Sequence, residues 1–129
     1  MKEIIDLPHL NAALAKLNTP TSLLVRSKDM LYSCGIPPMD LEKQEIVQGD
    51  LKEQTTAVLS IMKAALEGAG SKLEKVIKIT IYVTDTAYFG PVNEVYKEFF
   101  PDNHPVRSFV AVAPWPLPFD VEIDCIAEA

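Results

Sequence analysis

Residues 103–114, "NHPVRSFVAVAP", place one guanidinium in a run otherwise made largely of small and β-branched side chains. Arg107 sits between Val106 and Ser108, and the run holds no acidic residue to pair with it. Desolvating an unpaired charge costs on the order of several kcal/mol, so Arg107 either reaches solvent at a strand end or meets an anion there. Downstream, "VEIDCIA" sets Glu122 and Asp124 on one side of an alternating run. The two strands lie close in sequence, so antiparallel pairing about a turn at Pro116 is expected. Direct pairing puts Glu122 opposite a residue near Val110, with Arg107 one residue pair beyond and roughly 7–10 Å away at ~3.4 Å per residue. Such spacing suits two groups that share a ligand. A network of rim charges accounts for it equally, and a one-residue slip in register would send the two side chains to opposite faces.

The elements that must position these groups are legible. Asp50 and Glu53 form a capping-box pattern, and Leu51, Val58, Ile61, Met62, Ala65, Leu66 and Ala69 then recur at helical spacing until Gly68 and Gly70. A second helix is expected after Asp85 or Thr86, with Val92, Val95, Tyr96, Phe99 and Phe100 as its apolar stripe and Pro101 as its stop. "TSLLVRSKDMLYSCG" reads as a hairpin turning at "SKD". "KVIKITIYVTD" alternates Ile77, Ile79, Ile81 and Val83 against Lys78, Thr80, Tyr82 and Thr84. "PVRSFVAVA" and "FDVEIDCIAEA", joined by "PWPLP", supply two more strands. The predicted order is ββαβαββ, an α+β domain with two helices on one face of a sheet. The strand bearing Arg107 has Val106, Ser108, Val110 and Val112 on its other side. Neither side suits water, so a second copy of the chain is expected to cover the helix-free face. "LPHLNAALAKL" fits a short rim helix or a gate beside the cleft, and Trp115 fits a surface loop.

Composition narrows the function classes. The chain has 129 residues, 48% hydrophobic and 23% charged, as expected for one globular domain spanning 1–129. A formal net charge of −6 disfavours nucleic-acid binding, and the basic run "KLEKVIK" is interrupted by Glu74. His9 and His104 stand alone, Cys34 and Cys125 are far apart, and no CxxC occurs, so no metal site is expected. Two separated cysteines and an N-terminus interrupted by Asp6, Pro8, His9 and Asn11 favour a reduced, cytoplasmic setting without a signal peptide. No apolar run is long enough for a membrane span.

Four segments carry a family resemblance: "YSCGIPP", "GDLKEQTTAVLSIMKAALEGAGSKLEKVIKITIYVTD", "FGPVNEVYKEFFPDNHPVRSFVAVA" and "VEIDCIA". The chain resembles the RidA/YjgF family of reactive intermediate deaminases from end to end. The resemblance implies a chorismate-mutase-like fold, a homotrimer around a central barrel, and active sites between subunits. It also implies hydrolysis of amino-acid-derived enamines and imines, such as 2-aminoacrylate, to the 2-oxo acid and ammonia without metal or organic cofactor. Arg107 then matches the arginine that anchors the substrate carboxylate, with the backbone N–H of Phe109 as a second donor. Glu122 matches the acid that holds the attacking water. Asn93, Phe89, Ser33 and Cys34 match residues at or near the cleft.

The chain departs from the family pattern at Thr21, where an aromatic is usual after Pro20, at Cys34, where glycine is usual, and at Phe109, where cysteine is frequent. These changes alter the pocket wall and leave the anchor and the water site in place. A longer enamine such as 2-aminomuconate is one alternative substrate. A non-catalytic trimer that binds a small carboxylate is another reading, though Glu122 favours chemistry. Endoribonuclease activity, reported for some relatives, fits poorly with the net charge and the isolated histidines.

Overall fold

The computed structural model describes residues 1–129. The chain begins with a two-residue strand β1 (Glu3–Ile4) and helix α1 (Pro8–Ala15), which has proline in its first turn, where its missing N–H is no loss. Strands β2 (Leu24–Ser27) and β3 (Met30–Ser33) form the expected hairpin, pairing Ser27 with Met30. Lys28 occupies the turn at φ 53°. A small ribbon, β4 (Met39–Asp40) and β5 (Glu45–Ile46), precedes helix α2 (Leu51–Gly68). Asp50 and Glu53 close a reciprocal capping box at the start of α2, and Gly70 takes the left-handed conformation (φ 85°) just past its end. Strand β6 (Val76–Val83), helix α3 (Phe89–Phe99), and strands β7 (Val106–Ala111) and β8 (Val121–Glu128) complete the chain.

The main sheet has the order β1-β2-β3-β8-β6-β7. All neighbours are antiparallel except β6 and β7, which run parallel because α3 carries the chain back across the sheet. Ile79, Ile81 and Val83 of β6 and Val121, Ile123, Cys125 and Ala127 of β8 point to the helix side and are almost fully buried. Full burial of each large aliphatic side chain contributes about 1.5–3 kcal/mol. They meet Val58, Leu59, Met62 and Leu66 of α2 and Val92, Val95 and Tyr96 of α3 in one core cluster. Buried Leu10, Ala13 and Leu14 bring α1 into the same core. The fold is therefore α+β with three helices on a mixed sheet: the two expected in the ββαβαββ order and the short helix that "LPHLNAALAKL" offers as the alternative to a gate.

Three expectations are corrected. β7 and β8 are not neighbours: β6 lies between them, pairing in parallel with β7 and antiparallel with β8. The connection through "PWPLP" is consequently no hairpin but a passage across one strand. Ile77 does not share the buried face of Ile79, because the register shifts between Val76 and Lys78; Val76 is buried in its place and Ile77 is 44% exposed. Trp115 is half-buried, its ring tilted 30° against that of Phe119 at 4.8 Å and packed against the core.

The helix-free face is only partly polar. Val106 is 67% exposed, and Tyr32 and Val110 are also open to solvent. β7 is moreover an edge strand whose outer backbone groups have no partner in the chain.

Candidate active site

Arg107 is paired with Ile79 of β6, so its side chain rises on the helix side toward α3. Its Nη2 donates to Asn93 Oδ1, and the guanidinium lies 4.7 Å from the Tyr96 ring centre and 5.7 Å from that of Phe89. Asn93 and Tyr96 are three residues apart on α3, which places both on the face above β7. Cation–π contact with aromatic faces stabilises a guanidinium by about 0.5–2 kcal/mol without neutralising it. No carboxylate lies within 4 Å. Phe109, two residues on, meets Phe89 edge to face at 5.0 Å and forms one wall beside the charge. Val112 N–H donates to Val83 O, so by the two-residue period of a strand the N–H groups of Phe109 and Arg107 face the free outer edge of β7. The guanidinium opens on a cleft of about 290 Å³ lined by Asn93, Tyr96, Lys97, His104, Pro105 and Arg107. This half holds a preorganised cation and an available backbone donor.

Glu122 belongs to a second group. It is paired with Tyr82 of β6 and therefore points away from the helices. β3 leaves β8 after the pair Tyr32–Ile126, and contact resumes at the bridge Ile36–Ile123. Ser33, Cys34 and Gly35 bulge across from Asp124 and Cys125 in between. The Ser33 hydroxyl fills the gap in the ladder, accepting from Cys125 N–H at 2.9 Å and donating to Cys34 O at 2.8 Å. The Glu122 carboxylate lies against Gly35: a Cβ there would stand 2.2 Å from Glu122 Oε1. Burial, with Asp124 adding like charge, pushes the Glu122 carboxyl up to about 7. Tyr82 donates to Asp124 Oδ2 at 3.0 Å on the same face. A carboxyl near 7 is suited to taking up and returning a proton at neutral pH. Cys34 is no match for that role, because burial and the Glu122 charge push its thiol up to about 12. Thr21 lines a shallow cleft of about 500 Å³ with Lys2, Tyr32, Ser33 and Cys34.

The expected residues thus fall into two halves. Arg107, Asn93, Phe89 and Phe109 come together on the helix side of the edge strand, and Glu122, Ser33, Cys34 and Thr21 gather around the bulge in β3. Arg107 and Glu122 do not face each other within one chain. Their partners on β6, Ile79 and Tyr82, are three residues apart and of opposite parity, so the side chains leave opposite faces of the sheet. Two strand spacings of ~4.8 Å and three residues of ~3.3 Å separate their Cα atoms by roughly 14 Å. The expected 7–10 Å on a common face is overturned, because β6 intervenes. Tyr96, read from the sequence as core stripe, also forms the surface on which Arg107 rests. Gly35, one residue past Cys34, receives the Glu122 carboxylate. The Asn93–Tyr96 spacing pointed to a shared helix face, whereas nothing local pointed to Gly35.

No group of three His, Cys, Asp or Glu side chains is placed to hold a metal ion, and no helix is long and apolar enough to cross a membrane.

Comparison with known proteins agrees over nearly the whole chain. The sequence pattern of the family described as Endoribonuclease L-PSP matches residues 11–129. A RutC family protein of Pyrococcus horikoshii is 42% identical over 108 residues, covering 84% of this chain and 86% of its own. The chloroplastic Reactive Intermediate Deaminase A of Arabidopsis thaliana is 33% identical over 126 residues, 98% of this chain and 65% of that protein. The crystal structure of a Yersinia pestis protein of unknown function from the conserved Rid family superimposes with a TM-score of 0.90 at 30% identity, covering 100% of both chains. With this agreement in sequence and fold, the chain belongs to the YjgF/RidA/RutC family.

Proposed function

We propose that the protein hydrolyses reactive enamines and imines derived from amino acids, such as 2-aminoacrylate, to the corresponding 2-oxo acid and ammonia. The observation that carries this reading is a guanidinium held in place by Asn93, Tyr96 and Phe89 with no carboxylate to neutralise it. A fixed guanidinium binds a carboxylate bidentately, and the outward N–H of Phe109 adds a donor. The relationship to a protein named Reactive Intermediate Deaminase A supports the same chemistry.

Because Arg107 and Glu122 leave opposite faces, the reading requires two copies of the chain. The Arg107 half of one copy, at the free edge of β7, meets the Glu122 half of the next, in a cyclic assembly proposed here as a homotrimer whose helix-free faces line a central barrel. The solvent-exposed Val106 and Val110 and the unpaired edge of β7 support such an assembly. The reaction is proposed to run in a reducing, cytoplasmic setting where Cys34 and Cys125 remain thiols.

The enamine first tautomerises to the imine, R–C(=NH2+)–COO−, whose carboxylate Arg107 and Phe109 hold. Water oriented by Glu122 adds to the C=N carbon while the carboxylate takes its proton, giving the carbinolamine. Glu122 returns that proton to nitrogen and then accepts the hydroxyl proton as the C–N bond breaks and the C=O forms; ammonia leaves, taking up that proton from Glu122 as ammonium. The net change is imine plus water to 2-oxo acid plus ammonium. Orientation and proton transfer are the chain's contribution, since a protonated imine is already electrophilic.

The test generates 2-aminoacrylate enzymatically in situ and follows the decay of its imine signal. The wild type should accelerate decay, Arg107→Ala should lose most of the acceleration, and Glu122→Gln should fold but lose turnover. A Glu122→Gln variant as fast as wild type would refute the water-activating role of Glu122, and a wild type that does not accelerate decay would leave only a carboxylate-binding protein.

A further inference from the structure

The cleft over Arg107 is unusual for this chain. The protein carries 18 acidic against 12 basic residues, yet the six residues lining that cleft include Arg107, Lys97 and His104 and no acid. Their placement follows from local structure. Lys97 is four residues beyond Asn93 on α3, so both overhang the Arg107 strand. His104 lies in the short turn between Pro101 and Pro105. Asn103 takes a left-handed conformation there (φ 47°), and the following proline restricts His104 to extended backbone. Neither Lys97 nor His104 forms a salt bridge. The nearby acids are turned elsewhere: Glu94 pairs with Lys52, and Asp102 and Glu98 line a separate cleft with Lys63 and Lys72.

One carboxylate occupies Arg107 and leaves Lys97 and His104 lining the rest of the cleft. Volume points the same way. A three-carbon enamine such as 2-aminoacrylate has six non-hydrogen atoms, and at about 30 Å³ each, the share of a water molecule in the liquid, it fills roughly 180 Å³. The cleft of about 290 Å³ has room for three or four atoms more. Those atoms lie beside a lysine and a histidine, so a second anionic group fits them in charge as well as in size.

We propose that Lys97 and His104 form a subsite for a second carboxylate, which makes imines of acidic amino acids, four- to five-carbon dicarboxylates such as 2-iminoglutarate, the preferred substrates. This rests on the reading of Arg107 as the carboxylate anchor. The chemistry is unchanged: −OOC–CH2–CH2–C(=NH2+)–COO− and water give 2-oxoglutarate and ammonium. What Lys97 and His104 add is selection among imines.

The experiment holds size constant and varies charge. Amino-acid oxidases generate the imines of glutamate and of glutamine in situ, and kcat/KM is measured for each with wild type and with the Lys97→Gln/His104→Gln double variant. Both positions are exposed, so folding, checked by circular dichroism, should be retained. A partly solvated ion pair with Lys97 and a hydrogen bond donated by His104 to the same carboxylate give a preference of about tenfold for the glutamate imine, which should fall to near unity in the double variant. Equal wild-type rates on the two imines would overturn the subsite while leaving the deaminase reading intact. If no imine is hydrolysed, the deaminase reading fails, and equilibrium binding of the dianion 2-oxoglutarate against the monoanion 2-oxopentanoate then decides the subsite. A wild-type preference for the dianion that the double variant loses supports it, and equal affinities overturn it.

Discussion

Mixing two inactive variants offers the sharpest test of a site shared between copies. Arg107→Ala keeps an intact Glu122, and Glu122→Gln keeps an intact Arg107. In the proposed ring, a working site takes Arg107 from one chain and Glu122 from its neighbour. When the two variants are unfolded together at equal concentration and reassembled at random, half the positions supply each intact group. About one site in four is then complete, whatever the number of subunits in the ring. The mixture should recover about a quarter of wild-type kcat with wild-type KM, although each variant alone is inactive. The structural basis is the register: Arg107 opposite Ile79 and Glu122 opposite Tyr82 cannot meet within a chain. The assay is imine decay before and after co-refolding, with separately refolded variants mixed afterwards as control. Recovery of no activity from a mixture shown by mass spectrometry to contain mixed assemblies would refute the argument.

Other outcomes follow from named contacts. Gly35→Ala must push the Glu122 carboxylate off its seat, because the new Cβ would stand 2.2 Å from Oε1. The displaced atom ends a flexible side chain, so melting temperature should hardly change while kcat falls about tenfold to a hundredfold. Glu122, with its carboxyl raised to about 7 against an ordinary 4.5, binds its proton more tightly in the folded chain. Its contribution to stability is therefore complete below pH 4.5 and is lost as pH rises through 7. Discounted for partial exposure, the loss is about 1–2 kcal/mol, and it should vanish in Glu122→Gln when urea denaturation is compared at pH 4.5 and 8. Buried Gln54 accepts from Asp120 N–H at 2.8 Å and donates to Gly49 O at 3.1 Å, tying the start of α2 to the start of β8. Gln54→Leu leaves both backbone groups unpaired and should destabilise by about 2–4 kcal/mol in chemical denaturation.

Much of the architecture could be read residue by residue because it is locally encoded. The Asp50–Glu53 cap, the hairpin turn at Lys28 and the stop at Pro101 each concern groups a few positions apart. The partner of β7 is not encoded that way. Alternation along Val106–Ala111 shows two faces, but the insertion of β6 between β7 and β8 depends on α3 returning the chain in parallel. That single topological fact decides whether Arg107 and Glu122 share a face. The bulge at Ser33–Gly35 was equally invisible, since it arises where β3 diverges from β8 and the hydroxyl of Ser33 replaces a backbone bond. The residues with chemical potential stood out by type, and their grouping into two halves became clear only from strand order.

The alternation of β7 makes that strand answer to two different demands at once. Odd-numbered positions, Arg107 and Phe109, rise on the helix side, where the carboxylate is proposed to bind, while even-numbered ones, Val106, Ser108 and Val110, look out from the bare side. Inserting or deleting one amino acid ahead of Arg107 would exchange the two sets in a single stroke. Association and turnover should therefore be lost together, and length changes in the "PDNH" turn should be far less tolerable than changes in its letters.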